Sequence, residues 1–264
     1  MRDMFDHLLH PRPIVYADSD HVSLRFRQGE LQSLMSVQQP THLVVPYTRT
    51  MMGFLLMVHK PAHILMIGLG GGSLAKFCYQ HLPETHITVV DINPHVIAMR
   101  GHFQVPDDDA RFKVVCADGA DFVRDTRKTF DVILVDGFDA DGQSAQLSSK
   151  AFYEDACRVL RPKGVMAINL DSDHPAHSVF LQRVHTTYRG NMFVICVQER
   201  ANHVVFATKG LTLSSENMDL AAALQDRSPV ARLQLQAELG RIFQLIDDGS
   251  RFPTIDVREV GGLA

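Results

Sequence analysis

The chain has few cysteines, and none is arranged as a staple or a ligand pair. Cys78, Cys116, Cys157 and Cys196 lie far apart, without a C-x-x-C. A disulfide framework is therefore not expected; reduced, buried thiols in a cytoplasmic setting are. Long apolar runs are missing as well. The longest, near Met51 to Val58, is far too short to span a bilayer. The start, Met1-Arg2-Asp3-Met4-Phe5-Asp6, carries acids and lacks the apolar core of a secretory signal. Basic charge is not in excess. Lys and Arg number 26 against 30 Asp and Glu, a net charge of −4, which favours neither nucleic acid nor an anionic membrane as partner. Gly-Lys-Ser/Thr is absent, which excludes an ATP phosphate loop. No H-E-x-x-H occurs among the 14 histidines, and no metal is expected. The nearest approach to a ligand cluster is Asp171-Ser172-Asp173-His174-Pro175-Ala176-His177. It reads better as a loop capping the next helix, with Pro175 in the first turn.

What is present begins with Ile64-Leu65-Met66-Ile67-Gly68-Leu69-Gly70-Gly71-Gly72-Ser73, followed by Val89-Val90-Asp91. A short apolar run ends in glycines, a helical stretch follows, and a second apolar run ends in an acid. This is the order of a nucleoside cofactor site at the first βα turn of a doubly wound sheet. Glycines let the backbone approach a ligand and supply positive φ, and the acid, about 20 residues on, can accept hydrogen bonds from a ribose diol. Dinucleotide folds place Gly or Ala at the sixth position of this pattern. Ser73 stands there, which suits S-adenosylmethionine or its relatives better than NAD or FAD.

The 264 residues, 45% apolar and 21% charged, suffice for a full core. Three β-like runs, Ile14 to Ala17, Val22 to Arg27 and Leu31 to Val37, are separated by Asp18-Ser19-Asp20 and Gln28-Gly29-Glu30. They form a small antiparallel element that must pack on something larger. Tyr47 to Val58 has helical spacing. Then strands (64–67, 87–91, 112–116, 132–136, 165–170) alternate with helices (73–81, 94–102, 120–127, 150–160, 176–188), which implies a parallel sheet covered on both faces. Met192 to Gln198 and His203 to Thr208 read as a closing hairpin. Helices at 216–225 and 229–246 finish the chain, the second with Leu233, Leu235, Leu239, Ile242 and Leu245 as its apolar face. The expected division is 1–46 for the β element, 47–210 for the cofactor domain and 211–264 for a helical extension.

Ligands of such sheets sit beyond the carboxyl ends of the strands. Asp118-Gly119 follows the third strand of the main domain. Asp118 either contacts an adenine amino group or caps the next helix. Asp136 ends the fourth strand, followed by Asp139 and Asp141. Desolvation there should raise the pKa of Asp136 and fit it to accept a proton. The Gly137–Ser149 connection is long enough to act as a lid.

These residues resemble the polyamine aminopropyltransferases, the spermidine synthase family, from about Val22 to Thr208. The resemblance implies a seven-stranded Rossmann-like sheet of the methyltransferase type behind a small N-terminal β element. It implies transfer of an aminopropyl group from decarboxylated S-adenosylmethionine to an amine acceptor, without a metal, and a homodimer or homotetramer. By position, Gly68, Gly70 and Gly72 match the family's glycine loop, and Asp91, with Ile92 beside it, matches the ribose acid. Asp118 and Gly119 match the adenine contact, and Gln32 a cofactor-binding Gln. Asp136 and Asp139 match the D-x-x-D whose first acid is the catalytic base, and Tyr47 the Tyr of a Tyr-His-Glu motif.

Three motifs depart from the family pattern. Gly71 replaces an acid that holds an amino group, and Thr48 and Arg49 replace His-Glu. The gate D-P-x-G-P-A is Asp139-Ala140-Asp141-Gly142-Gln143-Ser144, without its prolines. Arg49 either faces the cofactor tail and pairs with a carboxylate, which intact S-adenosylmethionine has, or is a surface residue on an amphipathic helix. The alternatives to aminopropyl transfer are thus methyl or another alkyl transfer from intact S-adenosylmethionine, or a nucleoside-binding homologue without turnover.

Overall fold

The computed structural model describes residues 10–26, 31–139, 142–197 and 202–249. Residues 1–9, the Gln28-Gly29-Glu30 turn, Asp141, the Glu199-Arg200-Ala201 turn and the side chain of Asp139 lie outside the described residues.

Apolar residues on both faces of successive strands dictate the architecture. In β4 (His63–Ile67) and β7 (Phe130–Val135), Ile64, Met66, Val132 and Leu134 point into one core. Leu65, Ile67, Ile133 and Val135 point into another. A strand buried on both faces needs cover on both. The main sheet has seven strands in the order β11-β12-β10-β7-β4-β5-β6, which adds β5 (His86–Asp91), β6 (Phe112–Cys116), β10 (Leu160–Asp171), β11 (Met192–Cys196) and β12 (Asn202–Thr208). β6, β5, β4, β7 and β10 are mutually parallel. β12 is antiparallel to both β10 and β11. The chain runs outward from β4 to β6 and returns to β7 on the other flank of β4. That reversal opens a crevice at the carboxyl ends of β4 and β7.

A three-stranded antiparallel sheet, β1 (Ile14–Ala17), β2 (His21–Arg25) and β3 (Leu31–Ser36), precedes it. Val22, Leu24 and Met35 bury this sheet's inner face in the larger core. The helices are α1 (Pro46–Met51), α2 (Ser73–His81), α3 (Pro94–Ala98), α4 (Gly119–Asp125), α5 (Lys150–Val159), α6 (His177–Thr187), α7 (Leu220–Gln225) and α8 (Pro229–Asp247). A two-residue-per-strand hairpin, β8 (Phe138–Asp139) and β9 (Gly142–Gln143), occupies part of the expected lid.

Several expectations are corrected by tertiary contacts. The helix expected at 47–58 is α1 followed by a 3₁₀ segment, Met52–Leu56. A Cβ on Gly53 would lie 2.7 Å from the Phe206 ring and 2.9 Å from Ile242, so close packing of β12 and α8 sets the backbone there. The helix expected at 94–102 breaks into α3 and a 3₁₀ turn, Arg100–Phe103, ended by Gln104 at φ 53°. Leu233 does not join the apolar face of α8. It is 82% exposed, while Ala231, Leu235, Leu239 and Ile242 are buried. Cys116 is exposed on the edge strand β6, not buried. Pro175 lies before α6 rather than in its first turn, and His174 Nδ1 accepts from the Ala176 N–H at 3.0 Å.

Among the described residues, Lys76 and Arg227 place charge inside the fold. Lys76 of α2 is 2% exposed, and its Nζ donates to the Phe103 carbonyl at 2.6 Å. Burial pulls its pKa down to about 8. The destabilisation is full below that pH and fades as pH rises from about 8 towards 10.5, where the unfolded chain also loses the proton. Lys76→Met, in chloride buffer at pH 7, is expected to be more stable by about 1–2 kcal/mol after loss of one hydrogen bond. Urea denaturation from pH 7 to 10 checks this, and the wild type should gain stability over that range relative to the variant.

Candidate functional site

The site is built at the crevice, and backbone geometry comes first. Gly68, just past β4, has φ +96°, and a Cβ there would stand 2.1 Å from the Asp136 carbonyl oxygen. Only glycine lets the two strand ends pass this closely. The Gly68 N–H donates to Val90 O and the Asp136 N–H to Ile67 O, each at 2.8 Å, so the ends of β5, β4 and β7 are locked side by side. Gly72, at φ +66°, caps α2, and a Cβ on it would meet Val105 at 2.4 Å.

The cavity over these strand ends measures about 470 Å³. The loop Gly68–Gly71 forms its floor, with Asp91 and Ile92 on one side and Asp136 and Phe138 on the other. Gln32 and Ser33 of β3 and Tyr47 and Thr48 of α1 close it from the N-terminal sheet.

The two carboxylates in this lining are held in different ways. Asp91 accepts backbone N–H groups: Leu69 at 2.7 Å, Asn93 at 2.8 Å, and Gly70. Desolvation raises its pKa, and these bonds oppose the rise. Three of the carboxylate's roughly four lone-pair sites are taken, which leaves one for a hydroxyl donor in the cavity. Asn93 in turn caps α3 and donates to the Pro11 carbonyl at 2.9 Å.

Asp136 is held by side chains. Tyr47 Oη donates to Oδ2 at 2.8 Å and Asn169 Nδ2 to Oδ1 at 2.9 Å, while Asn202 Nδ2 donates to Asn169 Oδ1 at 3.0 Å. Burial pushes the Asp136 pKa up, and its two bonds pull the other way. A desolvated carboxylate in a fixed orientation, with neutral donors only, can take a proton from a group in the cavity. Asn169 and Asn202 also line the cavity, and the motif search passed over them. Asn169 left a signal as the one amide in the apolar run Val165–Leu170, since a buried amide must find partners.

The other residues singled out fall as follows. Gln32, Ile92, Gly68 and Gly70 line the cavity; Gly72 stands just behind it. Asp118 is the N-cap of α4, with Oδ1 accepting from Ala120 and Asp121 at 2.7 and 3.0 Å, and it lies outside the lining. Gly119 packs on Ile67 and Leu147, leaving no room for a side chain. Arg49 does not reach the cavity, which corrects its placement by the cofactor tail. Its guanidinium donates to the Leu43 and Val44 carbonyls. Gly71 has no space for the acid found there in the resembling family. A Cβ would lie 2.5 Å from Ser33 Oγ and 2.8 Å from the Phe103 ring.

Among the described residues no group of three or more His, Cys, Asp or Glu is placed to hold a metal ion, and no helix is long and apolar enough to cross a membrane.

Comparison with known proteins agrees with this geometry. A family profile described as "Spermine/spermidine synthase domain" matches residues 44–218. A polyamine aminopropyltransferase of Chromobacterium violaceum is 42% identical over 186 residues, 70% of this chain and 71% of that protein. A probable spermidine synthase from Corynebacterium glutamicum has the same fold at TM-score 0.67 and 17% identity, covering 89% of this chain and 91% of that one. A spermidine synthase in complex with the transition state analogue AdoDATO aligns at TM-score 0.62 and 19% identity, covering 96% and 89%.

Both bonds to Asp136 lower its pKa, so removing either should raise it. Tyr47→Phe and Asn169→Ala are each expected to move the Asp136 carboxyl titration to higher pH, read by carbon-13 NMR. An unchanged or lowered midpoint would show that these bonds do not set its proton affinity.

Proposed function

Because the chain belongs to the spermine/spermidine synthase family, we propose that it transfers an aminopropyl group from decarboxylated S-adenosylmethionine to an amine acceptor. The observation that carries this reading is Asp136, desolvated and oriented by Tyr47 and Asn169, in the same cavity as Asp91 and the glycine loop. The nucleoside lies along Gly68–Gly71, its ribose diol on Asp91 and its base against Ile92, with Gln32 above.

The acceptor amine, neutral when it reacts, puts its lone pair on the carbon next to the sulfonium. The carbon–sulfur bond breaks, and its electron pair neutralises sulfur to give methylthioadenosine. The proton shed by the new secondary ammonium goes to Asp136, with Asp139 orienting the amine. Alignment of the two reactants in one cavity supplies much of the acceleration. Assembly as a homodimer or homotetramer and a cytoplasmic setting belong to the same proposal.

Gly71 favours a second reading. Without an acid at that position the tail contact specific to the decarboxylated cofactor is missing, as it would be in methyl or another alkyl transfer from intact S-adenosylmethionine. Calorimetric titration with both cofactors and methylthioadenosine separates the two. Tighter binding of the decarboxylated form supports aminopropyl transfer, and tighter binding of the intact form supports the second reading.

With decarboxylated S-adenosylmethionine and a diamine, mass spectrometry should detect the aminopropylated amine and methylthioadenosine in equal amounts. Asp136→Asn should lower kcat by about 10²- to 10⁴-fold. In the wild type kcat/KM should rise with pH through the raised Asp136 pKa and then level, because only the ionised carboxylate accepts the proton.

A further inference from the structure

Helix α2 separates two cavities. Ser73, Leu74 and Ala75 line the first, while Lys76, Tyr79 and Gln80 line a second of about 700 Å³. Its other walls are the 38–42 segment after β3, Gln104 and Pro106, and the start of α8 with Val230, Leu233 and Gln234. No Asp or Glu is among these lining residues.

Two side chains on this wall carry donor protons beyond those the structure pairs. The buried Lys76 ammonium has three protons, and its hydrogen bond among the described residues goes to the Phe103 carbonyl. No carboxylate among the described residues stands near enough to offset the cost of its burial. Buried charges are ordinarily paired, because an unpaired one is expensive to desolvate. Gln234 is the second donor. Its Oε1 accepts from the Leu43 N–H at 2.9 Å, while its Nε2 is buried without a partner. Charge of both signs lies beyond the lining, Asp107 and Asp108 being held by Arg100. The Arg111 guanidinium stacks 3.8 Å over the Tyr79 ring, and Arg49 stands beside His42. Asp109, a third acid, is engaged by Tyr79 Oη at 2.8 Å and lies outside the lining.

We propose that the second cavity is a binding site for a small organic oxyanion. Its carboxylate or phosphate oxygens accept from Lys76 Nζ and Gln234 Nε2, and its carbon body rests on Val230 and Leu233. The anion supplies the counter-charge that the fold withholds from Lys76. The site rests on this cavity alone and does not depend on the reaction assigned to the first.

The test is calorimetric titration of the full chain, in chloride buffer at pH 7, with butyrate and with butyl phosphate as probes. The wild type should bind at least one of them saturably, and which one separates a carboxylate ligand from a phosphate ligand. Lys76→Met removes the cation, and Leu233→Glu sets a carboxylate at the exposed mouth, where it does not threaten folding. Each should weaken binding by at least about tenfold. Failure of both probes to bind the wild type, or wild-type affinity in either folded variant, would overturn the proposal.

Discussion

Everything at the first cavity depends on one backbone crossing, that of Gly68 over the carbonyl of Asp136. The parallel pairing of β4 with β7 brings the two strand ends together, and the reversal of strand order leaves space above them. A side chain at position 68 would occupy the place of the Asp136 carbonyl. The glycine therefore sets the distance between the loop beneath a nucleoside and the acid beside it. A shift of either strand would move both halves of the site apart, which is why a rigid sheet carries them and not a pair of loops.

Two carboxylates in one cavity acquire different characters from what holds them. Asp91 is fixed by main-chain amides that cannot rotate away, so it keeps its orientation although burial raises its pKa as well. Asp136, just past the end of β7, is fixed by a phenol on α1 and an amide on β10. Neither partner carries a charge, so burial outweighs the hydrogen bonds and its proton affinity rises. The small N-terminal sheet and the α1 that follows it matter here. Without them Tyr47 would be missing and Asp136 would face water, and water would erase the desolvation that makes it basic.

The sequence was most legible where a single periodicity or a single backbone demand governs. Strands buried on both faces, the positive-φ glycines and the acids at strand ends all carry their reasons locally. β6 and α2 stand at the bounds expected from spacing. Legibility failed where distant elements decide. Gly53 ends α1 because Phe206 and Ile242 press on it from 150 residues or more away in sequence. Leu233 has the right spacing for the buried stripe but falls on the outer side of α8. Arg49 looked like a reversed charge in the site until the carbonyls of Leu43 and Val44 claimed it. Asn169 and Asn202 became visible as a pair only when β10 and β12 lay side by side, since no motif joins residues on strands paired across a sheet.

Gly71 carries a consequence of a different kind. The hydroxyl of Ser33 and the ring of Phe103 occupy the volume that an acidic side chain would need. Ser33 belongs to the N-terminal sheet, so the loop's composition is now written partly in another element. Restoring the acid by one substitution would drive a carboxylate into both neighbours, and relieving either neighbour alone would leave a void beside a glycine. Seating an acid at position 71 therefore takes matched changes at positions 33 and 103, so the loop floor and the N-terminal sheet act as one unit in choosing the ligand.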